Sequence, residues 1–244
     1  MSRAVAFTPS LAEEYRNLYA AAAIRPERAE EVARLARRMA EPARRNRYQA
    51  VGDRVGVPWF VVAIIHALEA SLDFTRHLHN GDPLAGRTVR VPKGRPLAGT
   101  PPFAWEDSAA DALALAGLDA WDDWSVAGVA YVLERYNGFG YRRRTPPVPS
   151  PYLWSFTTAY VSGRYVADHV WSDTAVSRQC GGMALLRALF AAGLAAWPRE
   201  EAAQRLTEAT APPASPLGRE PAVPWPAGTA GLCVAATATQ VLGA

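Results

Sequence analysis

The chain has 244 residues, half of them hydrophobic and a fifth charged, with a formal net charge of +3. That composition leaves room for one substantial hydrophobic core, and the charge is too small to argue for nucleic-acid binding by itself. Two cysteines are too few for a disulfide framework, so Cys180 and Cys233 are expected to be free thiols. The opening MSRAVAFTPSLAEEY has one early Arg but no continuous apolar run, so neither a secretory signal nor a membrane span is expected there, and the compartment stays open.

Ser10-Leu11-Ala12-Glu13 fits a capping box, and a helix is predicted from it through Tyr15, Leu18 and Tyr19 to Ala23. Pro26 restarts the chain. Ala29, Val32, Ala33, Leu35, Ala36 and Met39 then recur at helical spacing, which predicts an amphipathic helix that Pro42 kinks or ends. Arg44, Arg45, Arg47 and Arg54 make the most basic patch, read as a solvated helix face, with contact to an anionic polymer as the alternative.

Pro58 suits the start of the next helix, in which Trp59, Phe60, Val61, Val62, Ile64, Ile65 and Leu68 cover almost every face. Glu69 closes that run, and a carboxylate is rarely buried without a partner. His66 lies three residues before it and Asp73 four after, so helical spacing puts all three on one face, the expected floor of a cleft. Burial disfavours the charged form of a carboxyl and raises its pKa, which equips a Glu to act as a general acid near neutral pH. A buried ion pair is the alternative role.

Beyond this helix, Gly81-Asp82-Pro83 is turn chemistry, and Thr88 to Pro96 (TVRVPKGRP) predicts a short β-hairpin flap. A loop runs to Pro102, a helix from Trp105 to Ala116 ends at Gly117, and another is predicted from Trp121 to Tyr136 with Trp124, Val126, Val129, Val132 and Leu133 inward. Arg142-Arg143-Arg144 and TPPVPSP (145–151) form a basic, then Pro-rich loop, followed by the aromatic residues Tyr152, Trp154, Phe156, Tyr160 and Tyr165. Met183 to Trp197 predicts a second apolar helix, and Pro198 opens a short polar one reaching Thr210. Residues 1–210 are expected to form one domain with an N-terminal helical extension, and 211–244 a Pro-rich, then Ala/Thr-rich tail.

Several of these stretches carry a resemblance. Glu69-Ala70-Ser71 resembles the E-x-S or E-S signature that holds the catalytic Glu of the lysozyme-like superfamily. The continuation DFTRHLHNGDPL (73–84) and the later blocks TVRVPKGRP (88–96), PFAWE (102–106), YNGFGY (136–141) and SPYLW (150–154) are similar to bacterial and phage lysozyme-family proteins, from Trp59 to Leu186 overall. The resemblance implies a mostly α, lysozyme-like helical fold with a small β-hairpin beside the active-site cleft. It implies a muramidase that cleaves the MurNAc-GlcNAc β-1,4 bond of peptidoglycan glycan strands, with Glu69 as general acid. No cofactor, no metal, no nucleic acid and no membrane span are expected, and the chain is expected to be a monomer.

For a second catalytic carboxylate, Asp82 is the first choice because the expected hairpin begins there, and Asp73 is the reserve. Tyr136-Asn137-Gly138 resembles the Y-N-G or Y-N-A-G element that lines the cleft of lytic transglycosylases, departing from it at Phe139-Gly140. That likeness implies sugar binding by Tyr136 and Asn137, with Ser71, His79, Asn80 and Tyr152 as further substrate-binding residues. Three alternatives stay open: a lytic transglycosylase giving 1,6-anhydro products with the same Glu69, a zinc-dependent wall hydrolase using His66, His77 and His79, and a non-catalytic wall-binding module.

Overall fold

The computed structural model describes residues 5–167 and 170–198, and these are mostly helical. In chain order they form α1 (Pro9–Ala21), a turn of 3-10 helix (Pro26–Arg28), α2 (Ala29–Ala40), α3 (Pro42–Val55), α4 (Trp59–Ala70), α5 (Trp105–Leu115), α6 (Val126–Asn137) and the one-turn α7 (Pro151–Trp154). The strands β1 (Arg164–Ala167) and β2 (Val170–Ser172) and then α8 (Gly182–Ala191) follow. The helix expected beyond Pro198, the tail and Cys233 lie outside the described residues.

α4 is the core helix. Every residue from Trp59 to His66 is buried, and α2, α3 and α8 pack around it. Each fully buried Val, Ile or Phe there contributes about 1.5–3 kcal/mol relative to exposure, so the all-round apolar pattern is satisfied only at the centre of the molecule. α8 comes close because it begins with glycine: a Cβ at Gly182 would lie 2.9 Å from Leu133 and 3.2 Å from Ile64. α1 packs on α6, and α7 bridges α6 and α8.

Several element boundaries differ from expectation for local reasons. Thr8, not Ser10, caps α1, its hydroxyl accepting the Leu11 N–H at 3.2 Å, because Pro9 takes the first helical position at no cost in donors. Pro42 likewise opens a helix rather than only ending one, and α3 carries the basic patch. Those arginines are engaged: Arg44 with Glu41, Arg47 with Glu106, Arg54 with Asp107, and Arg45 stacked over Trp59. α6 starts at Val126 and not Trp121, since Asp123 accepts the Ser125 N–H and Ser125 caps Gly128.

The hairpin is also elsewhere. Residues 88–96 form a looped turn, in which the Asp82 carboxylate takes the N–H groups of Val89 and Arg90 that a β-ladder would need. The two-stranded antiparallel sheet is β1–β2, pairing Arg164 with Ser172 and Tyr165 with Trp171. Tyr165 and Trp171 pack edge-on against each other and against Tyr141, which fastens this hairpin to the loop after α6. Among the described residues, no single helix is long and apolar enough to cross a membrane.

Candidate active site

Glu69 is the penultimate residue of α4, and the chain reverses just beyond it. Ser71 and Leu72 both adopt left-handed backbone, φ 53° and 61°, at a cost of about 1–3 kcal/mol each for residues with a side chain. Surrounding bonds hold the turn. The N–H groups of Ser71 and Leu72 donate to the His66 carbonyl, Arg44 donates to the Leu72 carbonyl at 3.0 Å, and Gln179 donates to that of Leu68. Gly81 presses the 79–82 loop against the same helix end: its φ is +74°, and a Cβ would stand 2.7 Å from the Glu69 carbonyl oxygen.

The Glu69 carboxyl has one hydrogen-bond partner among the described residues, the Tyr152 hydroxyl, which donates to Oε1 at 2.8 Å. Burial pushes its pKa up from 4.5 to about 7, and the Tyr152 bond opposes that rise only in part. Oε2 is left to carry the proton. Burial first, then the nearby Glu69 charge, holds the hydroxyls of both Tyr136 and Tyr152 well above the usual phenol value. Tyr136 donates to the Leu78 carbonyl at 2.8 Å and so ties the end of α6 to the loop that follows α4.

Next to this carboxyl lies an open cleft of about 530 Å³. Ser71, Asn137 and Tyr152, three of the residues expected to bind substrate, line it, and Glu69 stands partly exposed behind Tyr152. Other lining residues were not among the expected site residues: Tyr141, Arg164, Tyr165, Arg178 and Gln179. A carboxyl with a pKa of about 7, oriented by a phenol that itself lines the cleft, is equipped to act as a proton donor close to a bound leaving group.

The other expected site residues serve the scaffold. Asp82 is only 3% exposed and accepts from Val89 N, Arg90 N and Arg90 Nε at 2.8, 3.1 and 2.7 Å. Burial would raise its pKa, but the bonds from Arg90 and Val89 outweigh it and hold the carboxyl below its usual value. These bonds shape the 88–95 loop, and Asp82, expected as a second catalytic group, is not among the residues that line the cleft. Asp73 is not on the Glu69 face, because α4 stops at the left-handed Ser71; it accepts from Thr75 and Arg76 instead. Asn80 accepts from Asp82 N and donates to the carbonyls of Arg90 and Val91. His79 binds Asp111, which Arg95 grips from the other side, so neither Asn80 nor His79 is a cleft-lining residue.

His77 and His79 pack edge-on with ring centroids 5.8 Å apart, but the three histidines do not share one ligand site. His66 sits among Tyr48, Phe74 and Trp105, with its Nδ1 at 3.0 Å from the Tyr48 hydroxyl, and burial pushes its pKa down to about 4. His77 uses both ring nitrogens, on Ser108 and on the Gly86 carbonyl. Among the described residues no three His, Cys, Asp or Glu side chains are grouped as a metal site, so the zinc alternative has no ligand set in this region. Cys180 is a buried free thiol among the described residues. Comparison of the chain with family models, with curated proteins and with solved structures returns no match.

Proposed function

We propose that the chain is a peptidoglycan-cleaving glycosidase of the lysozyme-like kind, with Glu69 as its acid. The observation that carries this reading is the Glu69 carboxyl itself, raised to about 7 behind an open cleft and oriented by Tyr152. Protonated Glu69 gives its proton to the bridging glycosidic oxygen as the C1–O bond breaks, leaving an oxocarbenium-like sugar. Glu69 is then a carboxylate and takes a proton from the hydroxyl that attacks C1. Tyr136 and Asn137 fit this scheme as residues at the cleft end of α6, although Tyr136 holds the backbone with its hydroxyl and only Asn137 lines the cleft.

Among the described residues, Asp82 and Asp73 are committed to their own loops, and no carboxylate other than Glu69, which stands behind Tyr152, is placed next to the cleft. That favours a single-acid site over a retaining pair of carboxyls about 5–5.5 Å apart, and so favours capture by the sugar's own 6-hydroxyl, the lytic transglycosylase outcome, over a two-carboxylate lysozyme. Mass spectrometry of products released from purified peptidoglycan tests both levels. Anhydro products, about 18 Da lighter than hydrolysis products, are expected. Products of full hydrolytic mass would restore the muramidase assignment, and no released saccharide would leave a wall-binding module.

A further inference from the structure

We infer that Arg164 and Arg178 form a carboxylate-recognition subsite, by which the cleft selects glycans bearing carboxylates over neutral ones. This rests on the glycan-cleaving reading of Glu69 and adds the feature of the substrate that the same cleft recognises.

Among the described residues lining the cleft, these two arginines are the only charged ones. Arg164 spends its Nε on the Tyr165 carbonyl at 3.2 Å, which leaves both terminal nitrogens without a partner among the described residues. Arg178 is exposed and has no ion-pair partner among them. Several arginines outside the cleft are matched instead: Arg47, Arg54, Arg76, Arg90, Arg95 and Arg142 each pair with a carboxylate. Two unmatched guanidiniums facing one concavity raise its positive potential and draw in anions. A guanidinium fork also fits a carboxylate in bidentate fashion. Strand pairing with Ser172 fixes the backbone of Arg164, and the Tyr141–Tyr165–Trp171 cluster fixes β1 against the cleft. Tyr141 and Tyr165 add ring surface beside the cations for the flat faces of sugars. A peptidoglycan strand offers carboxylates on its stem peptides, and on a lactyl ether wherever a stem has been removed from it, whereas a chitin-like strand offers none.

Retention of the Glu69→Gln protein on insoluble glycan tests this without consuming the substrate. Three preparations, all stripped of wall phosphate polymers, are compared: intact peptidoglycan, the same material with its carboxyls amidated, and glycan freed of stem peptides so that only lactyl carboxylates remain. Retention on intact material should exceed that on amidated material by about tenfold, and Arg164→Gln with Arg178→Gln should bring the two within about twofold. Retention on stem-free glycan as strong as on intact material shows that the subsite takes a freed lactyl carboxylate as well, and retention there no better than on amidated material confines it to the stem carboxylates. Exposed Arg178→Gln alone should lower the preference several-fold, which keeps a readout should the double variant fail to fold. Equal retention of intact and amidated material, or arginine variants that keep the full preference, would overturn the subsite. A protein that binds with this preference yet has no cleaving wild type contradicts the Glu69 reading and leaves the subsite standing.

Discussion

The Tyr152 hydroxyl donates to Glu69 Oε1 at 2.8 Å, joining residues 83 apart in sequence across the wall of the cleft. The bond stabilises the charged carboxylate and so works against the burial that lifts the Glu69 pKa to about 7. It sets how far the acid is raised and which oxygen keeps its proton.

Removing that hydroxyl should therefore move the acid upward. In Tyr152→Phe the basic limb of the pH–activity profile is expected to shift to higher pH, with a lower kcat because the carboxyl is less well oriented. A profile unchanged in position, or shifted downward, would show that Tyr152 does not tune Glu69.

The raised pKa is also a stability statement. A carboxyl whose folded-state pKa exceeds its unfolded value of 4.5 favours the folded state below pH 4.5, and that contribution is lost as pH rises through about 7. Two and a half pKa units set an upper bound of about 3 kcal/mol. Glu69→Gln should accordingly melt higher than wild type at pH 8 and about level with it at pH 4. A Tm difference independent of pH would contradict this linkage.

The buried run of α4 and its lone carboxylate were legible in the sequence because they depend on composition and period alone. The face assigned to His66 and Asp73 was not. Helical spacing was carried past Ser71, whose left-handed backbone ends α4, and a positive φ at a residue other than glycine has no reliable local signal. The hairpin was misplaced for a related reason. TVRV (88–91) alternates polar and apolar as a half-buried strand does, more regularly than RYVA (164–167), and what keeps it from pairing is a carboxylate six residues upstream of Thr88 that takes its N–H groups. The arginine wall of the cleft depends on strand pairing and on α6 and α8 meeting around α4, which no local pattern reports.

Asp82 supplies that deciding carboxylate, and its substitution should disturb the loop more than the chemistry. Asp82→Asn removes the charge facing Arg90 and is expected to cost about 1–3 kcal/mol, with faster hydrogen exchange at the Val89 and Arg90 amides. Because hydrogen bonds hold this carboxyl below its usual value, its contribution persists above pH 4 and fades only on further acidification. An Asp82→Asn protein with an intact loop but no activity would return Asp82 to the catalytic site.

Gly81 offers a purely steric test of the helix end. Gly81→Ala would put a Cβ 2.7 Å from the Glu69 carbonyl oxygen at a φ of +74°, so destabilisation of about 2–4 kcal/mol is expected, together with a loss of activity as the end of α4 shifts. A variant with wild-type Tm would show that the loop yields freely and does not position Glu69.

The most direct test of the central claim is the rate of peptidoglycan cleavage by Glu69→Gln, measured on protein shown by circular dichroism and melting to be folded. The amide keeps the shape and can still accept the Tyr152 hydrogen bond, but it has no proton of suitable acidity to give. Loss of general acid catalysis should lower the rate at least about 10²- to 10⁴-fold, with retention on the insoluble substrate preserved. A folded Glu69→Gln protein that cleaves peptidoglycan at the wild-type rate would contradict the assignment of Glu69 as the acid.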